Sequence, residues 1–151
     1  MTAIPPPSIL TLLQGQWSLN RQYFGVPGSL RGRAIWLPDA SDGLHYAEEG
    51  VLQIGAARMS ATRRYDFRPA GDAVEIRFAD GPSAGGLFLR LIFVAAADGM
   101  AVASASHLCA ADLYEGEWRI GRAELHATIT ASGPHKAYRM ISRYDRLVEG
   151  A

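Results

Sequence analysis

One cysteine, Cys109, stands alone in 151 residues, so no disulfide can form within the chain. No apolar run approaches the roughly 18 residues of a membrane-spanning helix. The longest, around residues 91–97, is only strand-length. A charge surplus is missing as well. Fifteen basic residues balance fifteen acidic ones without forming blocks, which removes the electrostatic argument for nucleic acid. Met1 to Pro7 has neither the basic nor the apolar region of a secretory signal. Together these absences predict a cytoplasmic protein with no membrane insertion and no nucleic-acid partner.

Catalytic signatures are scarce too. The chain has no C-x-x-C, H-E-x-x-H, G-x-S-x-G, P-loop or dinucleotide fingerprint. No metal and no cofactor are therefore expected. Ser132-Gly133-Pro134-His135-Lys136 has the look of an anion-binding turn, but no helix follows to supply the dipole. It reads better as the tight turn before the last strand.

What the chain does contain is short strands. After a Pro-rich lead-in over residues 1–7, Ser8 is placed to cap one helical turn through Gln14. Gly and Pro then punctuate the chain at the spacing of an all-β fold. Nine or ten strands are predicted, from the segments 16–24, 29–37, 44–54, 57–68, 73–79, 87–94, 100–109, 112–120, 123–131 and 135–147. Gly50 is expected to mark a bend or bulge. The single domain, 1–151, is predicted to be a closed up-and-down antiparallel barrel of 8–10 strands, since closure hides the exposed edges of such a meander.

Alternation places polar residues on the faces that carry large apolar ones. Trp17, Leu19, Arg21 and Tyr23 share a face; so do Tyr46 and Glu48, then Arg63 and Tyr65. His107 shares one with Cys109, Asp112 with Tyr114, and His126 with Glu124, Thr128 and Thr130. Two readings compete for each charge. Arg21 or Arg63 with Glu48 forms an internal ion pair that satisfies buried groups, or the arginines await an acidic ligand. His107 beside Cys109 suggests an activated thiol or, with His126, a metal site. The plainer reading is a half-buried Cys with a His bonded to Asp112 or Tyr114.

The opening Gly15-x-Trp17, together with Tyr144 and Arg146 on the last strand, resembles the calycin superfamily of lipocalins, fatty-acid-binding proteins and haem-binding nitrobindins. That resemblance implies a barrel whose first-strand Trp packs on a last-strand Arg, here Arg146 in preference to Arg143. The whole chain is similar to an uncharacterised lipocalin-like family of small bacterial and fungal proteins of unknown function. The pattern runs through Leu13, Gly28, Gly32, Ala34, Gly50, His107, Cys109, Asp112, Gly133, Pro134, Lys136 and Tyr138. It implies a fold and no activity. The secreted lipocalins' signal and disulfides are missing, and the last strand offers only His135 as a haem ligand.

The leading expectation is a barrel that binds one small amphipathic or acidic organic ligand in its lumen. Arg21, Tyr46, Glu48, Arg63, Tyr65, His107, Tyr114 and Tyr138 are predicted to line it, with Trp17 and Arg146 closing the base. The alternatives are an enzyme using His107 as general base, a side-chain-filled structural or interaction barrel (as a homodimer through an exposed face), and haem binding.

Overall fold

In a computed structural model that describes residues 2–148, the chain forms one short helix and eleven antiparallel strands in a single sheet. Met1 and residues 149–151, the ends of the expected domain, lie outside the described residues. Helix α1 spans Pro6–Leu13; the strands are β1 Gly15–Phe24, β2 Ser29–Pro38, β3 Leu44–Ile54, β4 Ala57–Ala70, β5 Ala73–Phe78, β6 Leu87–Leu91, β7 Val94–Ala95, β8 Ala101–Cys109, β9 Asp112–Ile120, β10 Glu124–Gly133 and β11 Lys136–Arg146. The order across the sheet is β6-β5-β4-β3-β2-β1-β11-β10-β9-β8-β7.

Two expectations about the sheet need correcting. There are eleven strands, because the predicted strand 87–94 breaks at Ile92 and Phe93 into β6 and β7. The sheet is strongly curled, but hydrogen bonds do not close it into a full barrel. β6 and β7 are its two edges, joined by only two residues, so the chain steps directly from one edge to the other. β6 then packs against β8 and β9 through side chains. Gly116 makes this approach possible: a Cβ there would lie 2.6 Å from Leu89 Cδ1. A register shift between Ile76 and Arg77 turns both Phe88 and Leu89 of β6 inward.

Successive turns place β1 through β11 alternately between two ends of the curl. One end is sealed. Helix α1 packs there against β4 and β5 and buries Pro6, Ile9, Leu10 and Leu13, the spacing of one helical face. Its N-cap is Pro5 without a side-chain bond, so Ser8 lies inside the helix, exposed, and does not cap it. Pro at the first helical position needs no N–H and starts the helix unaided. Gly15, at φ 125°, swings the chain from helix into β1, a geometry that Cβ-bearing residues avoid.

Trp17 follows at once, fully buried, its indole N–H donating to Leu13 O at 2.9 Å. Arg146, opposite Trp17 in register, lays its guanidinium 4.2 Å from the indole centre. It also donates to Arg122 O at 2.6 Å, to Gln14 O at 2.9 Å and to Leu12 O. One cation thus satisfies carbonyls orphaned at the helix C-terminus while covering the indole. Gly50 does not bend its strand: it pairs with Gly32 in unbroken register.

Arg146→Ala should lower stability by about 2 kcal/mol, or roughly 4–8 °C in Tm for a chain of this size. Arg146→Lys should recover only part of the loss, because an ammonium lacks the planar fork. A circular dichroism melt in which Arg146→Ala matches the parent would contradict this role.

Candidate functional site

Above the sealed end the interior is filled by rings. Trp36 is fully buried, with Tyr46 4.6 Å, Tyr144 5.6 Å, Phe67 5.7 Å and Trp17 6.1 Å away between centroids. Over this cluster lies a polar layer set by register. Arg21 on β1 faces Ser142 on β11, and Glu48 comes from β3, two strands away. Gly32 on the intervening β2 carries no side chain to stand between them.

Arg21 and Glu48 therefore meet as a two-pronged pair. Arg21 Nη1 donates to Glu48 Oε2 at 2.7 Å and Nη2 to Oε1 at 3.0 Å. Arg21 Nε donates to Ser142 Oγ at 2.7 Å and Nη2 also reaches Tyr144 Oη at 3.3 Å. Tyr46 Oη donates to Glu48 Oε1 at 2.6 Å and lies 2.9 Å from Tyr144 Oη. Both charged side chains are about 95% or more hidden from solvent. Burial alone would lift the Glu48 carboxyl, but Arg21 and the Tyr46 hydroxyl outweigh it and hold it below the ordinary carboxylate range. Burial also pushes the Tyr144 phenol up to about 12. This layer is a satisfied ion-pair network, not a vacancy for a ligand.

Arg63 is different. It sits on β4 opposite Glu48, yet both oxygens of that carboxylate are already engaged. Its Nη1 donates to Tyr65 Oη at 3.3 Å and lies 3.6 Å from Met140 Sδ. Among the described residues it has no ion-pair partner. Burial works against its charge, yet Tyr65 and Glu48 more than offset this, and the guanidinium stays protonated. A cavity of about 20 Å³ lies beside it, lined by Arg21, Tyr65, Phe88, Trp118, Met140, Ser142 and neighbours. That is room for about one water. Aromatic rings fill the lower half of the interior, so the space beside Arg63 is far smaller than an organic molecule.

The opposite end admits solvent. Trp17, Leu19 and Arg21 of β1 are buried, whereas Tyr23, next on the same face, is part-exposed. Leu52, Ala61, Arg63, His107, Cys109 and Tyr138, on inner faces near this end, are also part-exposed. Tyr138 is within electrostatic reach of Tyr114, Arg63, Lys136 and Tyr23. Lys136 Nζ donates to Tyr114 Oη at 2.5 Å and lies 3.5 Å from Asp112 Oδ2. These residues form a mouth with two cations, Arg63 and Lys136, among phenol rings.

The predicted residues thus divide. Arg21, Tyr46 and Glu48 belong to the buried network, Tyr65 and Tyr114 are buried against Phe88, and Arg63, Tyr138 and His107 are part-exposed toward the open end. His107 makes no bond to Asp112 or Tyr114, which are engaged with Lys136. His126 shares a face with part-exposed Glu124 and Thr128 while Leu125 and Ala127 are buried, so it points away from His107 and Cys109. Sequence reasoning passed over Ser142, Met140 and Trp118. Trp118 was recoverable, since it alternates with Gly116 and Ile120 on one face of β9; Ser142 carries no comparable signal.

A family described as a family of unknown function, DUF6314, matches residues 13–146. The chain belongs to DUF6314. No curated protein matches it. Among solved structures it is similar to Rv2717c from M. tuberculosis, with 13% identity and a TM-score of 0.68 over 97% of this chain and 100% of that one. The S-type phycobiliprotein lyase CPES from Guillardia theta matches at 8% identity and TM-score 0.63, covering 97% and 94%. A redesigned β-barrel, mFAP1, bound to DFHBI, matches at 12% identity and TM-score 0.50, covering 91% and 97%. At these identities the likeness shows a shared, strongly curled antiparallel β fold for this DUF6314 member and nothing of its activity.

Removing one partner of the buried pair leaves the other uncompensated. Arg21→Met or Glu48→Gln should each cost about 3–5 kcal/mol, and Arg21→Met with Glu48→Leu much less than their sum. The Glu48 carboxyl titrates below its unfolded value of about 4.3. Its contribution is thus complete above that pH and fades as pH falls through the lower folded value. Urea melts should show the gap between parent and Glu48→Gln constant near neutrality and narrowing in acid. A gap that widens in acid would refute the network.

Proposed function

We propose that this DUF6314 member binds a small acidic organic ligand that enters at the open end of the curled sheet. The carrying observation is Arg63, a charged, half-buried guanidinium with no carboxylate partner among the described residues. A half-buried guanidinium without a counterion is free to take an acidic group from a ligand, which it can meet with bidentate geometry. Tyr23, Tyr65 and Tyr138 offer apolar walls with polar tips, the usual lining of a small-molecule site. Tyr114 and Lys136 complete the rim, and His107 lies on the inner face nearby.

Arg63 takes the role that sequence reasoning shared between Arg63 and Arg21. Arg21 spends its donors on Glu48, Ser142 and Tyr144 and serves the fold instead. The comparison with mFAP1, described as bound to DFHBI, supports a small-molecule reading for a barrel of this kind. Catalysis finds less support, since among the described residues no hydrogen-bonded group orients His107 as a general base. Cytoplasmic residence and action without a cofactor remain part of this proposal.

Native mass spectrometry of freshly purified protein should show a small-molecule adduct. Arg63→Met should lose the adduct and keep the fold, while His126→Ala, on the outer face, should retain it. Parent protein that carries no adduct, and whose Tm is unmoved by a panel of organic acids, would overturn the proposal.

A further inference from the structure

We propose that the small cavity beside Arg63 seats one oxygen of a monocarboxylate, and that Trp118 selects this head group. The inference rests on the reading above and names the class of acid that site accepts. A census of hydrogen-bonding groups around the cavity carries it. Trp118 lines the cavity, is only 6% exposed, and its indole N–H has no acceptor among the described residues. Orphaned buried donors are uncommon, and each calls for a physical account. A second such donor, Trp36, is packed among Tyr46, Phe67 and Tyr144 and is not part of the lining.

The rest of the lining is also rich in donors. Arg63 has five N–H groups and gives one nitrogen to a neutral phenol and a thioether. The Ser142 hydroxyl accepts from Arg21 Nε, and that is its one side-chain bond among the described residues. No carboxylate lines the cavity, because Glu48 is turned to Arg21 and Tyr46. With Arg21 and Glu48 cancelling, one positive charge is left over, that of Arg63. What completes such a site is an acceptor with a single negative charge.

Size then narrows the class. About 20 Å³ takes one oxygen, close to the space of a single water. A planar carboxylate can place one oxygen against the Trp118 N–H and present the other to the Arg63 fork. A phosphate brings three oxygens where there is room for one, and up to a second charge, while Lys136 is already engaged with Asp112 and Tyr114. Water satisfies the indole but leaves the guanidinium unneutralised.

Phenylacetate, phenylacetamide and phenyl phosphate serve as probes on the full chain, followed by tryptophan fluorescence and thermal shift. Phenylacetate should bind at least about tenfold tighter than the other two, as expected for a charge-assisted hydrogen bond. Trp118→Phe keeps the ring and removes the N–H; it should hold its Tm and weaken phenylacetate about tenfold. Should that variant fail to fold, the parent protein decides. Its Trp118 indole proton should shift in the NMR spectrum on adding phenylacetate and stay put with phenylacetamide. Phenyl phosphate binding equally well, an unmoved indole proton, undiminished binding by Trp118→Phe, or no probe binding would overturn the carboxylate assignment. The adduct experiment on Arg63→Met judges the underlying ligand-binding reading separately.

Discussion

At mid-height inside the curled sheet, two guanidinium groups compete for one carboxylate, and Arg21 holds it. Everything else of interest follows from that outcome. Glu48 gives both oxygens to Arg21 and one also to Tyr46, so the lower interior is electrically quiet and can be packed with rings. Arg63, one strand further, keeps its charge with no ion-pair partner among the described residues. A buried pair of this kind contributes little net stability. It does fix where each arginine stands, and hence which of them faces the open end.

The architecture divides labour along the axis of the sheet. The sealed end uses one residue, Arg146, to tie the helix C-terminus, the β9–β10 turn and Trp17 together. This keeps the helix from swinging away and makes the lower rings a rigid floor. The open end has no such plug among the described residues. Its inner faces carry tyrosines, Arg63 and Lys136, partly in contact with solvent. Rigid scaffold below and adaptable polar surface above is a sound arrangement for recognition.

Much of this was legible in the sequence, and the reasons are physical. On β1 to β5 alternation groups residues by face, Trp17 with Arg21, Tyr46 with Glu48 and Arg63 with Tyr65, but where both faces are mixed it does not say which one turns inward. The same argument stumbled on Leu87 to Val94. An apolar run interrupted only by Arg90 carries little period, and the break at Ile92 and Phe93 has no turn residue to announce it. Closure was inferred from the need to hide edges, whereas the chain manages this by stepping between the edges and packing Leu89 over Gly116. His126 misled because its neighbours Thr128 and Thr130 are polar on an outer face. The division between Arg21 and Arg63 lay beyond periodicity, since it depends on distances across the interior, and the orphaned Trp118 donor depends on them equally.

The most direct test of the central claim is a nitrogen-15 spectrum of the arginine Nε groups, with Arg63 and Arg21 assigned by Lys substitution. Titrating phenylacetate should move the Arg63 resonance and leave Arg21 where it is, held by Glu48 and Ser142. Movement of Arg21, or a spectrum in which neither resonance responds, would contradict the account.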